Sequence, residues 1–205
     1  CMYFNDYKYP YAQTANTSAF TPKSFKLNIN ETLIKKSYTD REGNTAYYFI
    51  WADGDGTEHY FFPKEGSTNI YEDEDGLHLT LNISSSSCTM TDGNDTVKTF
   101  ASKTIPSGLN GAWYLSRITD KSGNAIKITV DSSYRPTKLH LVPNNSSNEI
   151  EQMCFAYNSA GVLYAVYNPT SAEGVVFRYS NTYGGDIGTS YGKYLKRVIR
   201  AHGAA

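Results

Sequence analysis

The chain has 205 residues, of which 40% are hydrophobic and 14% are aromatic. Its formal net charge is -1, from 19 Lys and Arg against 20 Asp and Glu, which argues against a nucleic-acid-binding function. The 18 Tyr favour β structure, because aromatic side chains suit a pleated, half-buried surface. The chain begins with Cys1 and has neither a signal peptide nor an apolar run of membrane length, so we expect a segment of a longer protein.

The chain divides into two regions by its hydrophobic pattern. Residues 1–22 are rich in Tyr, Asn, Thr and Ser without a period, which predicts an irregular lead-in or linker. Residues 23–205 alternate short apolar runs with turn residues, which predicts β-hairpins. Period-two runs typical of half-buried strands lie at 77–83, 126–130, 153–157 and 175–179. The run at 194–201 has some helical spacing but is short, and we expect a final strand there.

Glycines next to Asp, Asn, Ser or Ala recur between these runs. Gly adopts a positive φ without steric cost, and Asp or Asn can close a turn through its side chain, so these positions are predicted hairpin tips. The predicted tips are Gly43, Gly56, Gly76, Gly93, Gly123 and Gly161. The predicted fold class is therefore all-β, an antiparallel array of hairpins.

Three motifs, in this order along the chain, resemble a known family. Residues 53–61 read Asp-Gly-Asp-Gly-Thr-Glu-His-Tyr-Phe and precede a second acidic turn at 71–77. Residues 115–126 read Leu-Ser-Arg-Ile-Thr-Asp-Lys-Ser-Gly-Asn-Ala-Ile, and residues 155–163 read Phe-Ala-Tyr-Asn-Ser-Ala-Gly-Val-Leu. They resemble the opening hairpins, the Leu-x-x-Ile-x-Asp-x-x-Gly-Asn-x-Ile unit and the Tyr-Asp-x-x-Gly-x-Leu repeat of the Gram-positive Rhs/YD-repeat family, which is wall-associated and teneurin-like. Asn158 stands where the family has Asp, and both residue types can close a turn.

The resemblance implies a structural, non-enzymatic function. In that family such hairpins form a hollow β-shell that encloses or displays a C-terminal effector of a bacterial polymorphic toxin. The implied location is secreted or at the cell surface. The implied partners are adjacent repeats and the effector domain of the same polypeptide, together with a cell-surface receptor or glycan. The array is accordingly expected to be open or part of a larger shell, with terminal strands near 25–29 and 175–179 pairing with neighbouring hairpins.

A carbohydrate-binding or adhesive β module is the alternative function. In that case exposed aromatic side chains would stack on sugar rings; the candidates are Tyr47, Trp51, Tyr60 and Trp113. A flat, exposed row of rings would favour this alternative. Aromatic side chains that alternate into a core or a cavity wall would favour the scaffold.

Two pairs of carboxylates lie at Asp-Gly turns: Asp53 with Asp55, and Asp73 with Asp75. Carboxylate oxygens are the ligands that calcium prefers, so these four residues are candidate calcium ligands. A bidentate Glu does not follow at the EF-hand spacing, and turn formation alone also explains the four residues. No other cofactor is predicted.

The remaining candidate reactive residues are two histidines and two cysteines. His59 and His78 are each expected in an alternating strand, where the side chain points outward or is capped. The sequence has no Gly-x-Ser-x-Gly, His-Glu-x-x-His or phosphate-binding glycine loop, so no catalytic residue is predicted. Cys88 and Cys154 are either buried free thiols or the two halves of one disulfide. The absence of a Cys-x-x-Cys motif argues against a zinc site.

Overall fold

The structure, a computed structural model, describes residues 2–4, 25–84, 87–103, 111–159, 161–180 and 194–202. This part of the chain contains β-strands and no helix, and all the strand pairs whose registers are resolved are antiparallel, as the predicted all-β class requires. The strands are β1 (Met2–Phe4), β2 (Phe25–Leu27), β3 (Thr32–Thr39), β4 (Thr45–Ala52), β5 (Glu58–Pro63), β6 (Ile70–Asp73), β7 (Thr80–Ile83), β8 (Ser87–Thr91), β9 (Val97–Ser102), β10 (Ala112–Thr119), β11 (Ala125–Val130), β12 (Pro136–Val142), β13 (Ile150–Tyr157), β14 (Leu163–Tyr167), β15 (Gly174–Ser180) and β16 (Tyr194–Ala201). In the described residues there is no helix that could cross a membrane.

The chain folds into two compact units. The barrel unit consists of Asn28–Lys127 with Pro143–Ser147, and the meander unit of Cys1–Leu27, Ile128–Val142 and Asn148–Ala205. Within the predicted lead-in, β1 forms a short ribbon with β2. The other residues of 1–22 lie outside the described part of the chain.

Strands β3 to β10 form a closed antiparallel barrel. Each strand pairs with the next along the chain, and β10 pairs both with β9 and with β3. In the ring, Trp113 lies opposite Ser102 on one side and opposite Leu33 on the other. The expected open array is therefore wrong for residues 32–119. A closed ring satisfies the backbone groups that an open array would leave unpaired at its edges.

The interior of the barrel is filled by its own side chains. Residues directly opposite each other on paired strands lie on the same face, which places one set of alternating residues inside. The largest fully buried side chains among the described residues include Leu33, Phe49, Phe61, Leu81, Cys88, Phe100 and Leu115, all on this inner face. An eight-stranded barrel is just wide enough for side chains to fill. The core of the barrel unit therefore lies inside the ring.

The predicted strand at 77–83 is shorter than its hydrophobic alternation indicates. Strand β7 begins only at Thr80. Both carboxylate oxygens of Asp73 accept backbone hydrogen bonds, from the N–H of Leu77 and of Leu79, each at 2.6 Å. These bonds hold the chain in a turn in which His78 has a φ of 57° and Leu77 is exposed. His78 therefore lies in a turn, and its expected place in a strand is wrong.

Strands β12 to β16 of the meander unit pair in sequence order. The alternation predicted at 175–179 is confirmed in part, because Phe177 and Tyr179 are buried in β15. That strand lies between β14 and β16, so its predicted position at the end of the sheet is wrong. The final strand predicted at 194–201 is β16. In the predicted run at 153–157, Met153 is exposed while the adjacent Cys154 and Phe155 are both buried, so burial there does not alternate.

Candidate functional site

A carboxylate, an ammonium and an indole meet inside one end of the barrel. Glu31, which directly precedes β3, is 5% exposed. The indole N–H of Trp51 in β4 donates to its Oε2 at 2.8 Å. The Nζ of Lys98 in β9 donates to Oε1 at 2.8 Å and to Oε2 at 2.9 Å. The buried charge of Glu31 is therefore paired and hydrogen-bonded, as buried charges require.

His59 of β5 extends this group of side chains towards two turns. Its ring stacks on Trp51 with centroids 4.8 Å apart. Its Nδ1 lies 2.8 Å from Oδ2 of Asp75, and its Nε2 lies 3.2 Å from Oδ2 of Asp53. Only the imidazolium form offers an N–H to both carboxylates. We refer to Glu31, Trp51, Asp53, His59, Asp75 and Lys98 as the barrel-end cluster.

The barrel-end cluster joins two turns. Each nitrogen of His59 faces a carboxylate, and Trp51 stacks on the imidazole ring. Because Asp53 and Asp75 lie in different turns, these contacts connect the turn after β4 to the turn after β6.

The four candidate calcium ligands serve as turn formers or ion-pair partners. Oδ1 of Asp53 accepts backbone N–H bonds from residues 55, 56 and 57, and Oδ1 of Asp55 accepts from the N–H and the hydroxyl of Thr57. The carboxylate of Asp73 accepts two backbone N–H bonds within its own turn, and that of Asp75 contacts His59. Within the described ranges, no group of three or more His, Cys, Asp or Glu side chains is arranged to hold a metal ion.

One five-residue turn recurs between strands along the chain. Its first residue is Asp or Asn, whose Oδ1 accepts the backbone N–H of the fifth residue at 2.7–3.0 Å. Its fourth residue donates its N–H to the first carbonyl at 2.9–3.2 Å and has a positive φ. In the described residues these Asx turns begin at Asp40, Asp53, Asp92, Asp120, Asp131 and Asn158. Glycine marks most of the fourth residues in the sequence. Of the first residues, Asp53 and Asn158 were predicted to form turns, and the Asx-x-x-Gly spacing could also have revealed Asp40 and Asp120.

The hydrogen bonds of the Asx turns shift the titration of their carboxyl groups. The pKa of Asp120 is lowered, mainly by the side-chain amide of Asn124 and then by backbone N–H groups. The pKa of Asp92 is lowered, mainly by the backbone N–H of Thr96. These carboxylates are therefore held in their charged form.

The aromatic side chains proposed for sugar binding fall into two groups. Trp51 and Trp113 lie on the inner face of the barrel, where Trp113 contacts Phe49 at a centroid distance of 5.8 Å. Tyr47 is exposed, and the Nζ of Lys35 lies 3.7 Å from its ring centroid. The two tryptophans thus do not form an exposed platform.

The outer face of the barrel carries a different set of rings, across β3, β4 and β5. Tyr48 lies 5.7 Å from Phe62 and 6.3 Å from Tyr60 between ring centroids, with interplanar angles of 12° and 18°. Tyr38 meets Tyr48 edge-on at 6.0 Å. Tyr38 and Phe62 are exposed. We refer to these four residues as the outer aromatic row.

The two described cysteines are free and buried, so they do not form a disulfide. Burial raises the pKa of Cys88 to about 12. The thiol of Cys154 donates to Oε1 of Glu151 at 3.0 Å, and its pKa is raised by burial and then by this carboxylate. Both thiols are therefore held in the unreactive protonated form.

Strand β16 is the exposed edge of the meander unit. It pairs with β15 from Gly174 opposite Ala201 to Ser180 opposite Tyr194, and no other described strand pairs with it. Val198 and Ile199 are 58% and 41% exposed. Successive residues of a strand point to opposite faces, so β16 exposes apolar surface on both faces, and its outer backbone edge is not paired with any strand of the described residues.

Comparison with known proteins does not assign the chain to a family. No protein-family model matches it, and no curated protein is significantly similar to it. The function is therefore inferred from the geometry of the described residues and from the sequence motifs.

Proposed function

We propose that the chain is a non-enzymatic structural and interaction segment of a large secreted or cell-surface protein of the Rhs/YD-repeat type. In this proposal it contributes part of a β-shell that encloses or displays an effector. Its partners are adjacent repeats and the effector domain of the same polypeptide. The observation that carries the proposal is the recurrent Asx turn, because its first and fourth residues coincide with the Asp or Asn and the Gly of the family motifs.

The Tyr-Asn-x-x-Gly-x-Leu segment at 157–163 illustrates this support. The hydroxyl of Tyr157 donates to the carbonyl of Pro136 at 2.7 Å. Asn158 closes the turn through Val162. Gly161 supplies the positive φ, and Leu163 is fully buried. Each residue that defines the motif therefore has a structural role: Tyr157 bonds β13 to β12, and Asn158, Gly161 and Leu163 form the connection from β13 to β14.

The unit at 115–126 supports the proposal in the same way. Leu115 is buried inside the barrel. Asp120 and Gly123 form the Asx turn between β10 and β11. The closed barrel has no free edge. A further strand of a shell wall would therefore pair with β16 of the meander unit.

Hydrogen exchange tests this assignment. The backbone amides of β16 that point away from β15 should exchange rapidly in the 205-residue chain and become protected in the complete natural polypeptide, where a further strand covers them. Amides of the barrel strand β4 provide the internal control, since they should be protected equally in both samples. Equal exchange of the β16 amides in both samples would reject the shell proposal.

The outer aromatic row favours a second candidate function, a carbohydrate-binding or adhesive module. Aromatic rings on an exposed sheet face present apolar surface to a partner. Glycan-array binding by the full chain, lost in Tyr48→Ala and retained in Tyr47→Ala, would support this function. Tyr47 is the matched control because it lies on the same strand but outside the row. Equal binding by both variants would exclude the row as a sugar site.

A further inference from the structure

The exposed edge strand β16 is strongly cationic. It contains Lys196, Arg197 and Arg200, and His202 follows it. The carboxylate of Glu173 lies 3.7 Å from Nη2 of Arg200 and 3.3 Å from Nδ1 of His202. A single exposed carboxylate therefore lies beside two of these cationic or ionisable groups and leaves an excess of positive charge along the edge.

Two arginines in this region lie directly opposite each other. Arg178 of β15 pairs in register with Arg197 of β16, and both side chains are exposed. Neither guanidinium has an ion-pair partner in the described part of the chain. Like charges on directly opposite residues destabilise a strand pair. A carboxylate on a strand added to the free edge would lie next to Arg197 and offset this repulsion.

Charge and apolar surface alternate on both faces of the same strand. Arg197 and Ile199 share one face, and Val198 and Arg200 share the other. A partner that covers this edge must bury Val198 and Ile199 and also neutralise the arginines. An extended peptide segment with two apolar residues between two acidic residues meets both needs, because it places carboxylates opposite Arg197 and Arg200 and apolar side chains opposite Val198 and Ile199. A second copy of β16 would bring cation against cation.

We infer that β16 binds an extended acidic protein segment, which adds a strand to the sheet edge and places carboxylates beside Arg197 and Arg200. Main-chain hydrogen bonds supply the pairing, and the charges select the partner. This inference rests on the proposed function and adds the chemistry of the strand that β16 receives.

Binding of synthetic strands to the full chain tests the inference. The probe is a fluorescently labelled extended peptide that contains the sequence Glu-Val-Val-Glu, which matches Arg197 to Arg200 of β16. Two matched peptides carry Thr or Lys in place of Glu. Fluorescence anisotropy should show binding of the Glu peptide that weakens as salt increases, binding at least about tenfold weaker for the Thr peptide, and none for the Lys peptide. Arg197→Glu should weaken binding of the Glu peptide by about tenfold or more. Lys121→Glu, a reversal at an exposed turn of the barrel unit, should leave it unchanged.

The outcomes separate this inference from the proposed function. Equal binding of the Thr and Glu peptides would overturn the acidic selectivity while leaving strand addition at β16 intact. If no peptide binds but the β16 amides become protected in the complete polypeptide, the inference fails and the shell proposal stands. Heparin serves as a non-peptide polyanion. If it competes fully while replacement of both Val198 and Ile199 by Thr has no effect on peptide binding, β16 is only an electrostatic surface and the strand inference is wrong.

Discussion

The indole nitrogen of Trp51 donates a hydrogen bond to the buried carboxylate of Glu31 across the inner face of the barrel, at 2.8 Å. Lys98, on strand β9 and 67 residues after Glu31, also contacts the pair. Its Nζ lies 4.5 Å from the indole ring centroid. One carboxylate thus satisfies an indole N–H and neutralises an ammonium. Removing it would leave both groups without their partner.

Replacing Glu31 by Ala should therefore lower the free energy of unfolding by about 3 kcal/mol, because it leaves a partly buried ammonium uncompensated. Urea unfolding followed by tryptophan fluorescence measures the change. Glu65→Ala, at an exposed turn, is the control and should change stability little. In a double-mutant cycle, Glu31→Ala with Lys98→Ala should cost less than the sum of the single changes, and strict additivity would contradict the pairing.

Substitutions at two glycines with unhindered surroundings should isolate the cost of a positive φ from the cost of steric crowding. Gly43 has a φ of +87°, and nothing lies within 4 Å of the position where a Cβ would be added. At Gly93 the added Cβ is equally unhindered, but the φ is not positive. Gly43→Ala should cost about 1 kcal/mol, because an L side chain disfavours that conformation, and Gly93→Ala should be neutral or slightly stabilising. Equal thermal midpoints for the two variants would contradict this account.

The acid stability of the fold should depend on the Asx turns. Because the folded pKa of Asp120 lies below its unfolded value, its carboxylate stabilises the fold at pH values above the unfolded pKa, near 3.9. This stabilisation is lost as the pH falls through the lower, folded pKa. When the free energy of unfolding is measured from pH 6 to pH 2, it should decrease less in the double variant Asp92→Asn/Asp120→Asn than in the native chain. Glu65→Gln controls for the removal of a negative charge, and parallel curves for all three proteins would refute the turn contribution.

Cys88 should resist alkylation in the folded chain, because it is fully buried and its pKa is raised to about 12. Its folded pKa lies above the unfolded value of 9.0, so the stability linked to this proton is complete below pH 9 and is lost as the pH rises towards 12. Peptide mapping after iodoacetamide treatment at pH 8 should find Cys88 unmodified in buffer and modified in urea. Rapid modification in buffer would show that the thiol is accessible.

The barrel-end cluster should affect stability rather than turnover. Substitutions of the cluster residues His59 and Asp53, and of the nearby turn residues Asp55 and His78, should change unfolding or local order and should not abolish any reaction. Both nitrogens of His59 face carboxylates, which is the physical reason for this expectation. A panel of glycoside and ester substrates, assayed with the native chain and with His59→Gln, provides the measurement. A defined reaction that the native chain catalyses and His59→Gln loses would show that the cluster is an active site.

Local chemistry made the hairpin tips predictable from the sequence. Gly43, Gly56 and Gly123 occupy positions with a positive φ. Glycine adopts a positive φ without help from residues outside the turn, so the residue type alone indicates the tip. The same locality misled the prediction at Leu77, where the hydrophobic alternation continues through residues that Asp73 recruits into a turn. The hydrophobic period does not show that a side chain such as that of Asp73 binds backbone N–H groups that a strand would otherwise pair.

Non-local contacts were beyond prediction from a single sequence. The sequence left open whether Trp51 is exposed, as the sugar-binding alternative required, because its inner-face position and its bond to Glu31 depend on the closure of the ring. Glu31 and Lys98 were not predicted as partners, since they are 67 residues apart and neither belongs to a motif. The available signal was a charged residue two positions from an apolar residue in the same strand, because Lys98 and Phe100 share a strand face.

Within the barrel, every strand pairing except one joins strands that follow each other along the chain. The exception is the seam between β3 and β10, which brings Leu33 next to Trp113. Contacts between distant residues form slowly, because the chain entropy of loop closure must be lost before the contact contributes. The seam is therefore expected to be the last pairing to form during folding. Until it forms, the edges of β3 and β10 are open to other chains, so a newly synthesised molecule is most prone to aggregate in the interval before Trp113 reaches Leu33.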